Sequence, residues 1–315
     1  MNETAPPEKT WLNGILFLLT VLTTCYAGLS WSASFLFFDA AAGADLIVGP
    51  GRVFENARLF PLSALYAAVL MTILVGHEMG HYLTCRRYGA RATLPYFLPG
   101  PPFLGTFGAF IRIKSPLSFK RQVFDVGANG PLVGFALTVP ALAVGLALSR
   151  VAPFTPSAET VNFGEPLLFK LMSGLFFGPI PEGSGLVLHP IGWAGWVGLL
   201  VTSINLVPLG QLDGGHVAYA VLGRHARLVS RIMVVFLAVM GVFFHTTWLV
   251  AAALVLFLEF RSKSRLRHPP VVDESAPLDA KRRLVGLLVL AIFVLSFNPA
   301  PVEGYGLIDL IKGAL

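Results

Sequence analysis

Six long apolar runs, separated by short polar stretches, dominate the pattern of the chain: Trp11 to Phe38, Phe60 to Thr84, Val123 to Leu148, Ile191 to Leu212, Ile232 to Leu258 and Leu284 to Phe297. A helix needs about 20 apolar residues to cross the hydrocarbon core of a bilayer, so these runs predict transmembrane helices. The fifth run has two readings. As one straight helix it measures about 40 Å at 1.5 Å per residue, too long without strong tilt. As two helices it gives short spans that turn near His245 to Trp248. Basic residues favour the second reading, because Lys and Arg gather in cytoplasmic loops. Arg86, Arg87 and Arg91 follow the second run, Arg112, Lys114, Lys120 and Arg121 precede the third, and Arg224, Arg227 and Arg231 follow the fourth. These groups can share one side, and the cluster from Arg261 to His268 with Lys281 to Arg283 joins them only if the fifth run is a hairpin. The expectation is an all-α polytopic membrane protein of about seven transmembrane helices, with a cytoplasmic N-terminus and an outer C-terminus.

Two segments fit neither a span nor an ordinary loop. Arg91 to Ser115 is apolar but broken by four prolines and three glycines, and its last part, "GTFGAFIRIKS", is strand-like. A regular helix is excluded there. Irregular backbone at membrane depth persists only where protein or a water-filled cavity covers it, which predicts a re-entrant or β-hairpin-like segment near residues 91–115. Gly164 to Gly178 is too short to span and reads as an interfacial helix on the outer face.

Composition supports the membrane reading: of 315 residues, 55% are hydrophobic and 13% charged. The net charge of +6 does not point to nucleic acid, since the basic residues sit beside the apolar runs, where they set orientation. Cys25 and Cys85 lie in apolar segments without partners at metal-site or framework spacing, and read as free thiols. The first ten residues, "MNETAPPEKT", carry neither a basic signal-peptide start nor the Arg and Ser of a transit peptide. A bacterial plasma membrane is the resulting expectation.

Chemistry concentrates in "LVGHEMGHYL", Leu74 to Leu83, where ionisable side chains sit inside a span. Such residues are expensive in a membrane and default to a functional role. His77 and His81, four apart, share a helix face and can both aim a nitrogen at one metal ion. Glu78 lies about 100° round the helix, in reach of a water on that metal without being a ligand. This is the HExxH arrangement, in which zinc lowers the pKa of a water and the glutamate takes its proton. A third ligand is required, and Asp213 in "NLVPLGQLDGGH" is the candidate at matching depth, at the end of the fourth run. His216 is a rival, more readily explained as an interface histidine.

With "HEMGH" on one span, "ANGPLVGF" at Ala128 to Phe135 on the next and "NLVPLGQLDGGH" on the one after, the chain resembles the site-2 proteases, zinc metalloproteases that cut within the membrane. The resemblance covers Phe60 to Ala220. Its proline-broken segment is most similar to the branch that lacks a PDZ domain, found in bacteria and plastids. The resemblance implies one Zn²⁺ per chain held by His77, His81 and Asp213, with Glu78 as general base. It divides the chain into an N-terminal helix and outer loop (1–59), a catalytic core (60–220) and C-terminal transmembrane helices (221–315).

Two amides are further candidates. Asn129, where Gly130 and Pro131 loosen the third span, is the first candidate to donate to a developing oxyanion, and Asn205 could do likewise or hold the loosened fourth helix; helix capping or interhelical bonding is the alternative for both. A peptide bond in a substrate helix must be unwound before it is cut. The strand-like segment offers a sheet edge for that purpose, with Phe107, Ala109 and Ile111 facing one way and Gly108 and Phe110 the other. The same segment could instead only plug the cavity against lipid. The expected activity is hydrolysis of peptide bonds in or near transmembrane segments of membrane protein substrates, with the lipid bilayer as the other partner. A transporter using the His and Asp cluster as an ion site and an inactive scaffold that binds membrane helices are the rivals; only hydrolysis needs a base at Glu78.

Overall fold

The computed structural model describes residues 10–38, 57–154, 161–262, 271–273, 276–304 and 306–308. The expected outer loop from Asp39 to Arg58 and most of the basic cluster from Arg261 to His268 lie largely outside the described residues. The chain is mostly helical: α1 (Thr10–Leu36), α2 (Leu59–Arg87), α3 (Lys120–Ala147), α4 (Leu167–Phe177), α5 (Pro190–Leu206), α6 (Asp213–Leu222), α7 (Ala226–Phe243), α8 (Thr247–Ser262) and α9 (Ala280–Ser296). Among the described residues two antiparallel strand pairs join them, β1 (Tyr96–Pro99) with β2 (Thr106–Phe110) and β3 (Arg150–Pro153) with β4 (Ser184–Val187). Four stretches of the described residues are long and apolar enough to cross a membrane: Thr10–Leu36, Leu59–Arg87, Lys120–Ala147 and Asp213–Phe243.

The last stretch is not one straight crossing. In a continuous helix Leu237 would lie about 36 Å from Asp213 at 1.5 Å per residue. Leu237 and Val234 instead pack with Val207 and Leu209, a few residues before Asp213. Ser230 also donates to the Pro208 carbonyl at 2.9 Å. The chain reverses at Gly223, whose φ of 55° an L side chain would resist. The reversal sets α6 and α7 side by side in opposite directions.

α3 is the hub, with α2, α5 and α6 packed against it. Without a hydrophobic force between helices inside lipid, close packing comes from small residues. α5 carries Gly192, Gly195 and Gly198 on the side facing α3. A Cβ at Gly195 would meet the Leu142 backbone at 3.0 Å, and one at Gly198 the Thr138 hydroxyl at 2.6 Å. α5 is therefore buried among helices, and its 17 residues reach only about 25 Å. The fourth apolar run ends sooner than expected, at Leu206, because Pro208 cannot continue the ladder. Asp213 consequently opens a new helix and does not close the old one.

The fifth run divides where the sequence allowed it to, between Phe243 and Thr247, and Gly241 takes the Leu249 backbone against it. α4 is an 11-residue helix with Leu171, Leu175 and Phe176 exposed. Exposed Leu18, Leu22, Ile232, Val235, Leu287 and Leu290 give α1, α7 and α9 apolar outer faces suited to lipid.

The proline-broken segment is an ordered hairpin hung from α1. The Asn13 amide donates to the carbonyls of Leu94 (2.9 Å) and Pro95 (3.0 Å), Thr23 to that of Gly105 (2.6 Å) and the Trp31 indole to that of Phe103 (2.9 Å). Tyr66 on α2 adds a bond to the Leu104 carbonyl at 3.0 Å. Carbonyls freed by the prolines are thus satisfied by side chains of two helices.

Candidate metal centre

α2 carries His77, Glu78 and His81, all buried. Glycines set how closely the neighbouring helices approach them. A Cβ at Gly80 would lie 2.6 Å from the Asn129 carbonyl oxygen, one at Gly134 3.0 Å from His77 Nδ1, and one at Gly130 would overlap the His81 ring. Asp213 arrives from the loop after α5. There Gly210 takes a φ of 49°, and Gly214 and Gly215 let the first turn of α6 fold onto the Leu206 and Leu209 carbonyls. Side chains at either glycine would push Asp213 out of the site.

Three atoms converge. His77 Nε2 lies 3.1 Å from Asp213 Oδ2 and 3.1 Å from His81 Nε2, and His81 Nε2 lies 3.2 Å from Asp213 Oδ2. Ligands about 2.0–2.1 Å from one zinc at the tetrahedral angle are about 3.3–3.4 Å apart, so this triangle fits such an ion to within a few tenths of an ångström. The chemistry of the donors fits too. His81 Nδ1–H donates to the Val126 carbonyl at 2.7 Å, which leaves Nε2 with its lone pair aimed into the triangle. Among the described residues this is the cluster able to hold a metal.

Glu78 stays outside the triangle, and the backbone of Ile111, just past β2, lies near its carboxylate. The end of the strand pair thus comes close to the residue expected to act as base. Asn205 Nδ2 lies 3.5 Å from His77 Nε2, at the edge of hydrogen-bonding range. The Asn129 amide turns elsewhere and donates to the Thr84 hydroxyl at 2.8 Å. His216 packs with its Cβ against Gly127 on α3 and is not one of the three converging residues.

The strand segment departs from simple alternation. Tyr96 pairs with Phe110, Phe97 with Ala109 and Leu98 with Gly108, but Pro99 pairs with Thr106, so Phe107 is the extra residue of a bulge. Gly108, at a φ of 100°, makes that bulge possible, and its N–H is held by Thr106 Oγ1 at 2.9 Å. Phe107 and Phe110 are consequently both exposed, although strict alternation sets them on opposite faces. β2 pairs with β1 on one side only among the described residues.

A further polar group had no reading from the sequence. Tyr88 hydroxyl donates to Asp125 on α3, and Arg282 on α9 grips both carboxylate oxygens of Asp125, Nε to Oδ1 at 2.8 Å and Nη2 to Oδ2 at 2.6 Å. Burial, followed by the bond to Asp125, pushes the Tyr88 hydroxyl above its ordinary pKa. The one signal available was spacing: His77, His81, Thr84 and Tyr88 recur at helical intervals and line one face of α2.

The family model described as Peptidase family M50 matches residues 65–247. The "Probable zinc metalloprotease EGY2, chloroplastic" of Arabidopsis thaliana is 30% identical over 260 residues, covering 79% of this chain and 44% of its own length. The "Probable zinc metalloprotease EGY1, chloroplastic" of Oryza sativa subsp. japonica is 33% identical over 235 residues, 70% of this chain and 40% of its own. The chain spans less than half the length of these curated relatives. Because the matched segment holds all three corners of the triangle and covers more than half of the sequence, the chain belongs to peptidase family M50.

Proposed function

We propose that this chain is an intramembrane zinc metalloprotease that hydrolyses peptide bonds in or near the transmembrane segments of membrane proteins. The observation that carries the reading is the buried triangle of His77, His81 and Asp213 with Glu78 beside it, on helices of membrane-spanning character. The names of the relatives, each a probable zinc metalloprotease, point the same way. Bound there, zinc would lower the pKa of a water and polarise a carbonyl.

The chain's own residues supply the rest. His77, His81 and Asp213 would hold the ion, and the Val126 carbonyl fixes the tautomer of His81. Glu78 would accept the proton of the attacking water and return it to the leaving amine. The Asn205 amide, beside His77, is better placed than Asn129 to donate to the developing oxyanion. The unpaired side of β2 would take an unwound stretch of substrate as an added strand and deliver it towards Glu78 along Ile111. This edge satisfies main-chain groups that unwinding leaves bare.

The proposed topology has seven crossings: α1, α2, α3, α5 continued by α6, α7, α8 and α9. The end of α2 and the starts of α3, α7 and α9 carry Arg86, Arg87, Lys120, Arg121, Arg227, Lys281 and Arg283. By the bias of basic residues towards the cytoplasm, that end and the nearby metal centre face the cytoplasm.

The test is cleavage of detergent-solubilised single-span membrane proteins by the purified chain, before and after zinc removal by a chelator. Cleavage that stops on removal and returns with added zinc supports the reading. Cleavage indifferent to zinc removal would refute it.

A further inference from the structure

The polar face of α2 continues past the metal centre to an ion-pair cluster at the membrane edge. Three contacts link α2 to α3 along that face: His81 to the Val126 carbonyl, Thr84 to Asn129, and Tyr88 to Asp125. Asp125 and Val126 are consecutive on α3, so a grip on the Asp125 carboxylate holds the same helical turn that presents the Val126 carbonyl. Arg282 then binds Asp125 through two parallel bonds and reaches the Tyr88 hydroxyl with Nη2 at 3.3 Å. A guanidinium matched to a carboxylate in this fork carries orientation as well as energy.

Arg282 is itself held. Asp279 caps α9 by accepting from the Arg282 N–H at 2.9 Å, and its carboxylate also binds the guanidinium. The strand of chain before it is pinned to the same end of the bundle, where Asp273 N–H donates to the Ser118 carbonyl at 3.0 Å and Val271 N–H to the Tyr219 hydroxyl at 3.2 Å. α9 lies beyond the segment matched by the family model, yet its first turn clamps two of the three helices around the metal centre.

We infer that Arg282 is a positioning residue: by tying Asp125 and Tyr88 together it sets the register of α2 against α3 and so holds His81 on the Val126 carbonyl, making metal affinity depend on the C-terminal helix. The inference rests on the reading of His77, His81 and Asp213 as the metal ligands. Conserving charge without the fork weakens the device, and removing the fork releases it. Loss of partners to a metal-ligating histidine lowers affinity about 10–100-fold, and Arg282, one step further out, falls at the lower end, about 10-fold.

The experiment is competition for zinc between a chromogenic chelator and the full-length chain in detergent, together with the visible absorption spectrum of the cobalt-loaded protein. The variants are Arg282→Ala, Arg282→Lys, Tyr88→Phe, His81→Ala and Arg150→Ala. Arg150 donates to the Phe35 carbonyl at 2.7 Å, past the end of α3 opposite to Asp125, and serves as a structural control. Arg282→Ala should weaken zinc binding about 10-fold and alter the cobalt bands, Arg282→Lys should recover part of both, and Tyr88→Phe should weaken binding by a smaller factor. Arg150→Ala should leave affinity and spectrum unchanged. If Arg282→Ala does not fold, Tyr88→Phe and Arg282→Lys decide. Wild-type affinity and spectrum in those folded variants would overturn the inference while the metal reading stands. Zinc binding by His81→Ala equal to that of wild type would overturn the metal reading itself.

Discussion

Replacing Gly80 by alanine tests whether the metal centre depends on the closeness of α2 and α3. The new Cβ would lie 2.6 Å from the Asn129 carbonyl oxygen and 3.0 Å from the Gly130 Cα, where ordinary contact begins at 3.4 Å. Both obstacles are backbone, so no rotamer change relieves them, and the helices must part by about 0.8 Å. A gap of that size forfeits about a quarter to a half of each dispersion contact across the interface. Overpacking of this kind costs about 1–3 kcal/mol. Removing a helix-interior glycine returns about 1 kcal/mol, so a net loss of up to about 2 kcal/mol follows. The metal centre is affected as well, because Asp213 rides on α3 through α6, whose His216 Cβ would lie 2.7 Å from a Cβ at Gly127. Parting α2 from α3 widens the His–Asp edges, now 3.1 and 3.2 Å, towards about 4 Å, beyond the tetrahedral separation. Zinc affinity by chelator competition should fall at least about 10-fold, and the thermal unfolding midpoint in detergent should drop. Gly14 on α1 is the control: a Cβ there meets nothing within 4 Å, so Gly14→Ala should raise the midpoint and leave zinc binding alone. A Gly80→Ala protein with wild-type zinc affinity and midpoint would refute the reasoning.

Proline at Phe110 removes a strand N–H and stiffens the edge of β2 without touching the triangle, so cleavage should be lost while zinc content is kept; normal cleavage would rule out strand addition. His189 sits outside the helices at the start of α5, where burial lowers its pKa and its Nδ1 accepts from the Ile191 N–H at 3.2 Å. With the folded-state value below the unfolded one, the unfolded chain binds more protons, and stability falls as pH drops through about 6.5. His189→Asn keeps an acceptor without the titration, so the midpoint difference between variant and wild type should grow in the variant's favour from about pH 7 to about pH 5. A constant difference across that range would discount the role of His189.

The clustering of His77, His81 and Asp213 was readable because its signals are local. Two histidines four apart and a glutamate between them need only helical geometry, and the lone Asp beside a Gly pair was the available third ligand at that depth. The division of the fifth run followed from charge bias and length. Other features depend on pairs distant in sequence. Arg282 and Asp125 are 157 residues apart, and nothing near either residue marks the pairing. Arg282 reads locally as one more basic residue at a span end. Asn129 and Asn205 were ranked by motif position, but the ranking turns on where each amide points, which the Thr84 hydroxyl decides for Asn129. Period-two alternation in β2 failed at the residue with positive φ, since a glycine in a strand signals a bulge without giving its register. Asp213 was assigned to the end of a helix because hydropathy runs smoothly through Pro208, whereas the backbone ladder does not.

The measurement that bears most directly on the central claim compares wild type, Glu78→Gln and Asp213→Ala for zinc content and for cleavage of one single-span membrane protein, purified and assayed side by side. The account predicts that Glu78→Gln keeps its zinc and stops cutting, because the glutamine fills the same space and cannot take a proton, while Asp213→Ala loses both. Undiminished cleavage by Glu78→Gln, or full zinc in Asp213→Ala, would contradict it.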